Sequence, residues 1–522
     1  MEPARSQEPL LDFKVTTRMT LYLEDDAYGS FVVDASMSDY VGSKLELTGH
    51  SAASDADHKL NITYFVQGQP LRVNSSAAPI GQKTEHHFDL SQLNISTVAH
   101  NVTAVATLSG SNSTFHAWTS LLRLPLRTDN GSATRLDHLY GGLAVRRGED
   151  TAWKPIFTYT YYVQWSLYWY ANLSTLDEFA SMGYNVIHIV PTGDLGDTPF
   201  PWDKFEPYLN RADELGLLLQ YDVRWEYANL SIMVDQVTRL ASHPSILLWY
   251  TGDEPDGKSN PINSTKIAYE TIRAIDPYHP ISLALNCADF YYSDYASGAD
   301  IILSDVYPIS TNASYSTVYD TPCNATYGCC GCDNCNGAFE DISDRLDSFA
   351  HFDDVLGWQK THWGVPQAFG NETFWTRYPT AAEEVVMNML SVNHAAKGIV
   401  MWNFPTPAAI LNVTNALAAV LTTDRVTNFL VNTPMVGRLQ VDGADRVDAT
   451  VWDSGDSLML SVVNLNYGNI NGSITVHLPV GMQAKAMNES LWGQAHWTAD
   501  GNTVSTNGML GLEASLMVLQ QR

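Results

Sequence analysis

Positive charge is scarce in this chain. Its 522 residues hold 29 Lys and Arg against 57 Asp and Glu, a formal net charge of −28, and charged residues of both signs make up only 16%. Soluble domains average about 25%. Binding a polyanion needs clustered Lys and Arg to displace its counterions, so nucleic acid is excluded as a partner, and anionic membrane surfaces are disfavoured for the same reason. No run of 18 apolar residues occurs, so no membrane-spanning helix is expected. Met1–Leu11 lacks the apolar core of a signal peptide. There is no Gly-x-Gly-x-x-Gly fingerprint, phosphate loop, His-x-His or His-Glu-x-x-His, and no cofactor or metal is expected. His188, inside the apolar run VIHIV, reads as a core histidine.

Aromatic residues are plentiful. They make up 11% of the chain and include 14 Trp, far too many for a disordered one. On a sparsely charged surface they hint at sugar ligands, although most such rings serve as core. Fifteen Asn-X-Ser/Thr sequons occur, at Asn61, Asn74, Asn94, Asn101, Asn112, Asn130, Asn172, Asn229, Asn263, Asn312, Asn324, Asn371, Asn412, Asn471 and Asn488. Glycans there would supply neutral polar surface where charge is missing. A secreted, extracellular protein whose signal peptide has been removed is expected. Six cysteines fit that compartment: Cys287, and five in CNATYGCCGCDNC (Cys323, Cys329, Cys330, Cys332, Cys335). They read as up to three disulfides of undeducible connectivity, with a zinc site through Cys332 and Cys335 as the rival.

Along the chain, residues 1–140 alternate apolar and polar in short segments separated by Gly, Asn and Ser, which predicts an antiparallel β-sandwich. Residues 426–522 repeat the character and predict a second. Between them, over residues 141–425, eight apolar runs alternate mostly with helical segments: Pro155–Tyr161, Val186–Pro191, Leu217–Val223, Ile246–Gly252, Ile281–Asn286, Ile301–Val306, Gly364–Phe369 and Ile399–Phe404. The first helix is read as capped by Ser174. Repeated βα units of this length predict an α/β fold, a (β/α)8 TIM barrel flanked by N-terminal and C-terminal β-sandwich domains. An open doubly wound sheet is the alternative.

A barrel of this kind keeps its chemistry at the C-terminal ends of its strands. Those ends carry Tyr161 and Trp165 (first), Asp194 beyond the second, Asp222 and Arg224 (third), Trp249, Asp253, Glu254 and Asp256 (fourth), Asn286 (fifth), Asp305 and Tyr307 (sixth), Gln367 (seventh) and Trp402 (eighth). Carboxylates, amides and aromatic rings are what glycosidic cleavage needs: two carboxyl groups for acid/base and nucleophilic work, with rings and amides to hold the sugar.

The stretch HPSILLWYTGDEP, His243–Pro255, resembles the fourth-strand motif of the clan A glycoside hydrolases, whose β-galactosidase and β-glucuronidase members also begin with a β-sandwich. The resemblance implies that Glu254 is the general acid/base and Trp402 a sugar platform. The sequence departs from that pattern twice. Asp253 stands where the clan has Asn, and Gln367 where the clan has its nucleophilic Glu. Glu372 is a weak substitute for the latter, so Asp305 or else Asp222 is expected as the second catalytic carboxylate, with Asp305 favoured. Asp253, Tyr161, Trp165, Arg224, Trp249, Asn286, Tyr307, Gln367 and Trp402 are expected to bind substrate. Arg224 and Arg377 are the basic residues available for an acidic sugar. The expected function is O-glycosidic hydrolysis of an oligo- or polysaccharide. The alternative is a catalytically silent sugar-binding protein on a degenerate barrel.

Overall fold

The structure is a computed structural model that describes residues 4–45, 59–108, 113–190, 202–312, 314–316, 320–323 and 331–522. Asp194, Cys329 and Cys330 lie outside the described residues. Near the N-terminus, strands such as Leu10–Thr17 and Lys59–Val66 bury every second side chain. They belong to a four-stranded and a five-stranded sheet. The inward residues of both, Phe31, Val33, Leu60, Tyr64 and Ala104 among them, share one core. At the other end, a five-stranded and a four-stranded sheet enclose Val451, Leu460, Ile474 and Val504 in the same way.

Between them eight parallel strands close into a barrel: Thr158–Gln164, Val186–Val190, Leu218–Asp222, Ile246–Asp253, Ile281–Leu285, Ile301–Ser304, Thr361–Gly364 and Gly398–Phe404. The eighth pairs back onto the first, from Thr158↔Gly398 to Val163↔Phe404. Each strand is buried on both faces, toward the barrel interior and toward the helices, as a parallel sheet inside a helical ring requires. The fold is the expected TIM barrel with flanking β-sheet structure.

Boundaries shift in places. The first strand starts three residues later than its apolar run suggests, and the seventh ends where the sequence reading begins it. Ser174 is itself in helical conformation and makes no side-chain cap. A 17-residue helix, Glu340–Leu356, precedes the seventh strand and was not foreseen. Its acidic, weakly periodic sequence hides it. Cys332 and Cys335 are bonded to each other rather than poised as metal ligands.

The floor of the barrel is closed by a three-stranded sheet, Ala133–Leu136, Leu143–Arg146 and Lys154–Ile156. Its Leu136, Leu143, Val145 and Ile156 pack with the interior residues Val186, Leu218 and Leu248. Ser132 Oγ donates to Ile246 O at 2.6 Å, and Thr361 Oγ1 donates to Gly141 O at 2.9 Å, both at strand starts. With one end plugged, the C-terminal end is left for a site.

Packing at the wall is tight. A Cβ on buried Gly298, in the turn before the sixth strand, would lie 2.3 Å from the backbone carbon of Thr265. Gly298→Ala is expected to cost about 1–3 kcal/mol through overpacking. Urea denaturation reads this directly, and an unchanged midpoint would contradict the packing described.

Candidate active site

A cavity of about 550 Å³ opens at the C-terminal end of the barrel, within the range of small-ligand sites. Tyr162, Trp225, Tyr307, Phe369, Trp375 and Trp402 supply its rings. Asp253, Glu254, Asp305 and Glu372 are its acids, and Arg224 and Lys258 its cations.

Its base is built around Arg224, just past the third strand. The guanidinium donates through Nε to Asp222 Oδ2 at 2.8 Å and pairs through Nη1 with Asp253 Oδ2 at 3.0 Å. The rings of Tyr162, Tyr250 and Trp402 surround it, with centroids 5.5, 5.4 and 5.7 Å from Cζ. Burial disfavours its charge, but Asp222 and Asp253 outweigh that and raise its pKa. Asp222 also accepts from His188 Nε2 at 2.7 Å and from the Arg224 backbone N–H at 2.8 Å. Burial keeps His188 neutral, so its Nε2–H donates to Asp222. Asp253 accepts from Tyr250 OH and from Lys258 Nζ, each at 2.8 Å. Burial pushes its carboxyl up, but Arg224 and Lys258 pull it further down, to about 2.

Glu254 follows directly, at the lip. Its backbone takes φ +49°, a left-handed conformation that costs a non-glycine residue roughly 1 kcal/mol or more. The turn aims its carboxylate, about one-third exposed, over the cavity, 3.7 Å from Lys258 Nζ. Asp305, just past the sixth strand, is buried beside it on the same cavity wall. Burial first, and then the charge of Glu254, raise the Asp305 pKa well above the carboxylate range. Among the described residues, Asp305 Oδ1 has no hydrogen-bond partner. Burial thus biases Asp305 toward its protonated form. Asp256 lies underneath and accepts from the backbone N–H of Gly257 (2.8 Å), Asn286 (3.3 Å) and Cys287 (2.8 Å). Burial still raises it to about 6.

The structure therefore brings together Glu254, Asp305, Asp253, Arg224, Tyr307 and Trp402. Seven other expected residues do not reach the cavity. Asp222 sits beneath Arg224, fully occupied as its anchor. Tyr161 faces the helices, hydrogen-bonded to Thr414 at 2.9 Å, while its neighbour Tyr162 faces inward. Trp249 likewise faces outward and donates to Asp276 at 2.8 Å, leaving Tyr250 inside. Trp165 packs against Phe205 and Tyr208. Asn286 does not line the cavity. Gln367 is fully buried, accepting from Ile309 N at 2.9 Å and donating to Ile309 O and Phe369 O; it ties the sixth and seventh loops together. Arg377 is paired with Glu383 at 2.7 Å, away from the cavity.

Sequence reasoning puts Tyr162, Trp225 and Phe369 at strand ends without assigning them to the site, and misses Lys258 and Trp375. Lys258, four residues after Glu254, was legible as an i, i+4 partner. The chain doubles back tightly after the seventh strand, where a Cβ on Gly370 would meet Arg377 O at 2.1 Å. That close approach brings Phe369, Glu372 and Trp375 to the rim. Burial raises the Glu372 carboxyl. Among the described residues no cluster of three or more His, Cys, Asp or Glu is arranged to hold a metal ion.

No family model and no curated protein matches the chain. Solved structures with a similar fold include a debranching enzyme from Nostoc punctiforme (12% identity, TM-score 0.45, 67% of this chain and 88% of that one). A GH30 endoxylanase from Clostridium papyrosolvens gives 9%, 0.44, 70% and 96%. A maltogenic alpha-amylase from Thermotoga neapolitana gives 12%, 0.41, 67% and 93%. The barrel itself is established by the strand topology.

The two acids of opposite shift make opposite pH predictions. Asp253, depressed to about 2, contributes stability that is present above the ordinary carboxylate pKa and lost as pH falls toward 2. Asp253→Asn should therefore cost about 2 kcal/mol at pH 7. Asp305, raised by burial, leaves the fold most stable below its ordinary pKa of 3.8 and progressively less stable as pH rises. Asp305→Asn should melt a few degrees higher than wild type at pH 7 and close to it at pH 4. Thermal melts across pH check both, and a lower melting temperature for Asp305→Asn at pH 7 would contradict the assignment.

Proposed function

We propose that the protein is a secreted glycoside hydrolase in which Glu254 protonates the departing glycosidic oxygen and Asp305 attacks the anomeric carbon. The observation that carries this reading is the Glu254–Asp305 pair of carboxyls, one at the lip and one buried beside it, on the wall of an aromatic cavity. Neighbouring carboxyls suit the direct-attack, retaining route, which takes a separation of about 5–5.5 Å, better than a water-mediated one at about 6.5–9.5 Å. The proton rests on Asp305 in the free protein. It passes to Glu254 when a glycan fills the cavity and oxocarbenium charge develops beside Asp305. A buried carboxylate is then opposed by positive charge in the transition state, where that interaction counts most.

Arg224 is already paired with two carboxylates and Lys258 with Asp253 and Glu254. The cavity's acids thus outnumber its cations, which favours a neutral or cationic sugar over an acidic one. Trp225, Trp375 and Trp402 offer stacking faces. Gln367 is engaged with backbone groups and does not enter the cavity, so its identity is no argument for a silent sugar-binding protein. The secretory part of the reading is supported by exposure. Of the thirteen sequon asparagines among the described residues, twelve are exposed, Asn229 is half-buried and none is buried.

The reversed assignment, with Asp305 as donor and Glu254 as nucleophile, is favoured by one observation, the resting place of the proton. Glu254→Gln and Asp305→Asn should each lower kcat on unactivated glycosides by about 100-fold or more, measured on a broad panel of polysaccharides and aryl glycosides. With azide and a good leaving group, Glu254→Gln should form a glycosyl azide of retained configuration, and Asp305→Asn one of inverted configuration. The opposite products would exchange the roles. Wild-type rates in both variants would overturn the pair.

A further inference from the structure

We propose that Asn371 carries an N-linked glycan that stands at the mouth of the barrel cavity and restricts entry to chain ends and short oligomers. The inference takes that cavity as the working site and does not depend on which carboxylate does what. Asn371 is exposed and begins the sequon Asn371-Glu372-Thr373. Its two successors, Glu372 and Thr373, both line the cavity, so a glycan on Asn371 starts one residue from the lining.

The turn that presents it is pinned. Glu372 N donates to Trp375 O at 3.0 Å and Trp375 N to Glu372 O at 2.7 Å. Trp375 Nε1 donates to Tyr307 O at 3.0 Å, tying the turn to the cavity wall. Asn371 itself takes φ +60°, a conformation that asparagine tolerates well. The attachment point is therefore fixed relative to the opening.

Other sequons in the barrel share this side. Asn172, Asn229, Asn263 and Asn312 lie in the connections after the first, third, fourth and sixth strands, and Asn412 lies in the helix after the eighth. Among the described residues, no helix-to-strand turn of the barrel carries a sequon. Those turns face the end where the three-stranded sheet is seated. Glycans are bulky and strongly solvated, and those on the strand-to-helix side would form a collar that includes Asn371.

The modification balances simply. The Nδ2 amide attacks the anomeric carbon of a lipid-pyrophosphate-linked oligosaccharide, the donor class of the secretory route. The N–C1 bond forms as the C1–O bond breaks; the lipid pyrophosphate leaves, and the amide gives up one proton.

The test uses the full chain secreted from a eukaryotic host. Glycopeptide mass spectrometry, with enzymatic deglycosylation in heavy-oxygen water, reads occupancy at Asn371 without reference to activity. Predominant modification is expected. An unmodified Asn371 in a chain glycosylated at Asn61 and Asn101 would overturn the proposal. Access is read by labelling Ser166→Cys, a position that lines the cavity, with a small maleimide and with a polymer-linked maleimide, against the parent protein as background. The small reagent should react equally in this protein and in its Asn371→Gln derivative, and the large one several-fold faster in the derivative. Equal rates for the large reagent would overturn the gating claim. If Ser166→Cys is not secreted, Gln164→Cys reports on the same cavity. Because neither readout uses turnover, a failed hydrolase assignment and a failed glycan assignment give different results.

Discussion

The site depends on one buried cation. Arg224 is held between Asp222 below and Asp253 above, inside a cage of Tyr162, Tyr250 and Trp402. Breaking such a pair by removing one partner costs several kcal/mol, because it strands a desolvated charge. The array also transmits position. His188 on the second strand fixes Asp222 on the third, Asp222 fixes Arg224, and Arg224 fixes Asp253 on the fourth. Glu254, the next residue, inherits its place from that chain. Three strands of the barrel thus set where one carboxylate stands.

The neighbouring pair works against the fold. Burial holds back the ionisation of Asp305, so the folded state opposes an ionisation that the unfolded chain makes freely. Asp256 below it, raised to about 6, has the same sign. Asp253 offsets part of this with a carboxyl held near 2. Carboxyls with divergent environments set side by side are how a protein assigns acid and base roles to one residue type. The left-handed backbone at Glu254 adds strain at the same point.

Much of the architecture was legible in the sequence. Eight apolar runs between helical segments implied the barrel, and the strand-end rule then selected Asp253, Glu254, Asp305, Arg224, Tyr307 and Trp402. Which of two adjacent aromatics faces inward was not legible. In Tyr161-Tyr162 and Trp249-Tyr250 both residues are apolar because both faces of a parallel barrel strand are buried, and no alternation remains to mark parity. The seventh strand was misplaced by several residues, so Gln367 read as a strand end although its side chain ties two loops together. Phe369 and Trp375 reach the rim only because the chain doubles back at Gly370, a close approach that composition and periodicity do not reveal. Asp222 was rightly seen as a strand-end acid, but only its two partners show that it anchors Arg224 and does not face the cavity.

The proposed chemistry turns on a buried Asp305 that keeps its proton beside Glu254 in the free protein. Infrared difference spectroscopy of the carboxylic acid C=O stretch, wild type minus Asp305→Asn at pH 7, measures it most directly, because other buried acids such as Glu384 cancel in the difference. The account predicts a protonated-carboxyl band in wild type that vanishes in the variant. Identical spectra in that region, with both proteins folded, would contradict it.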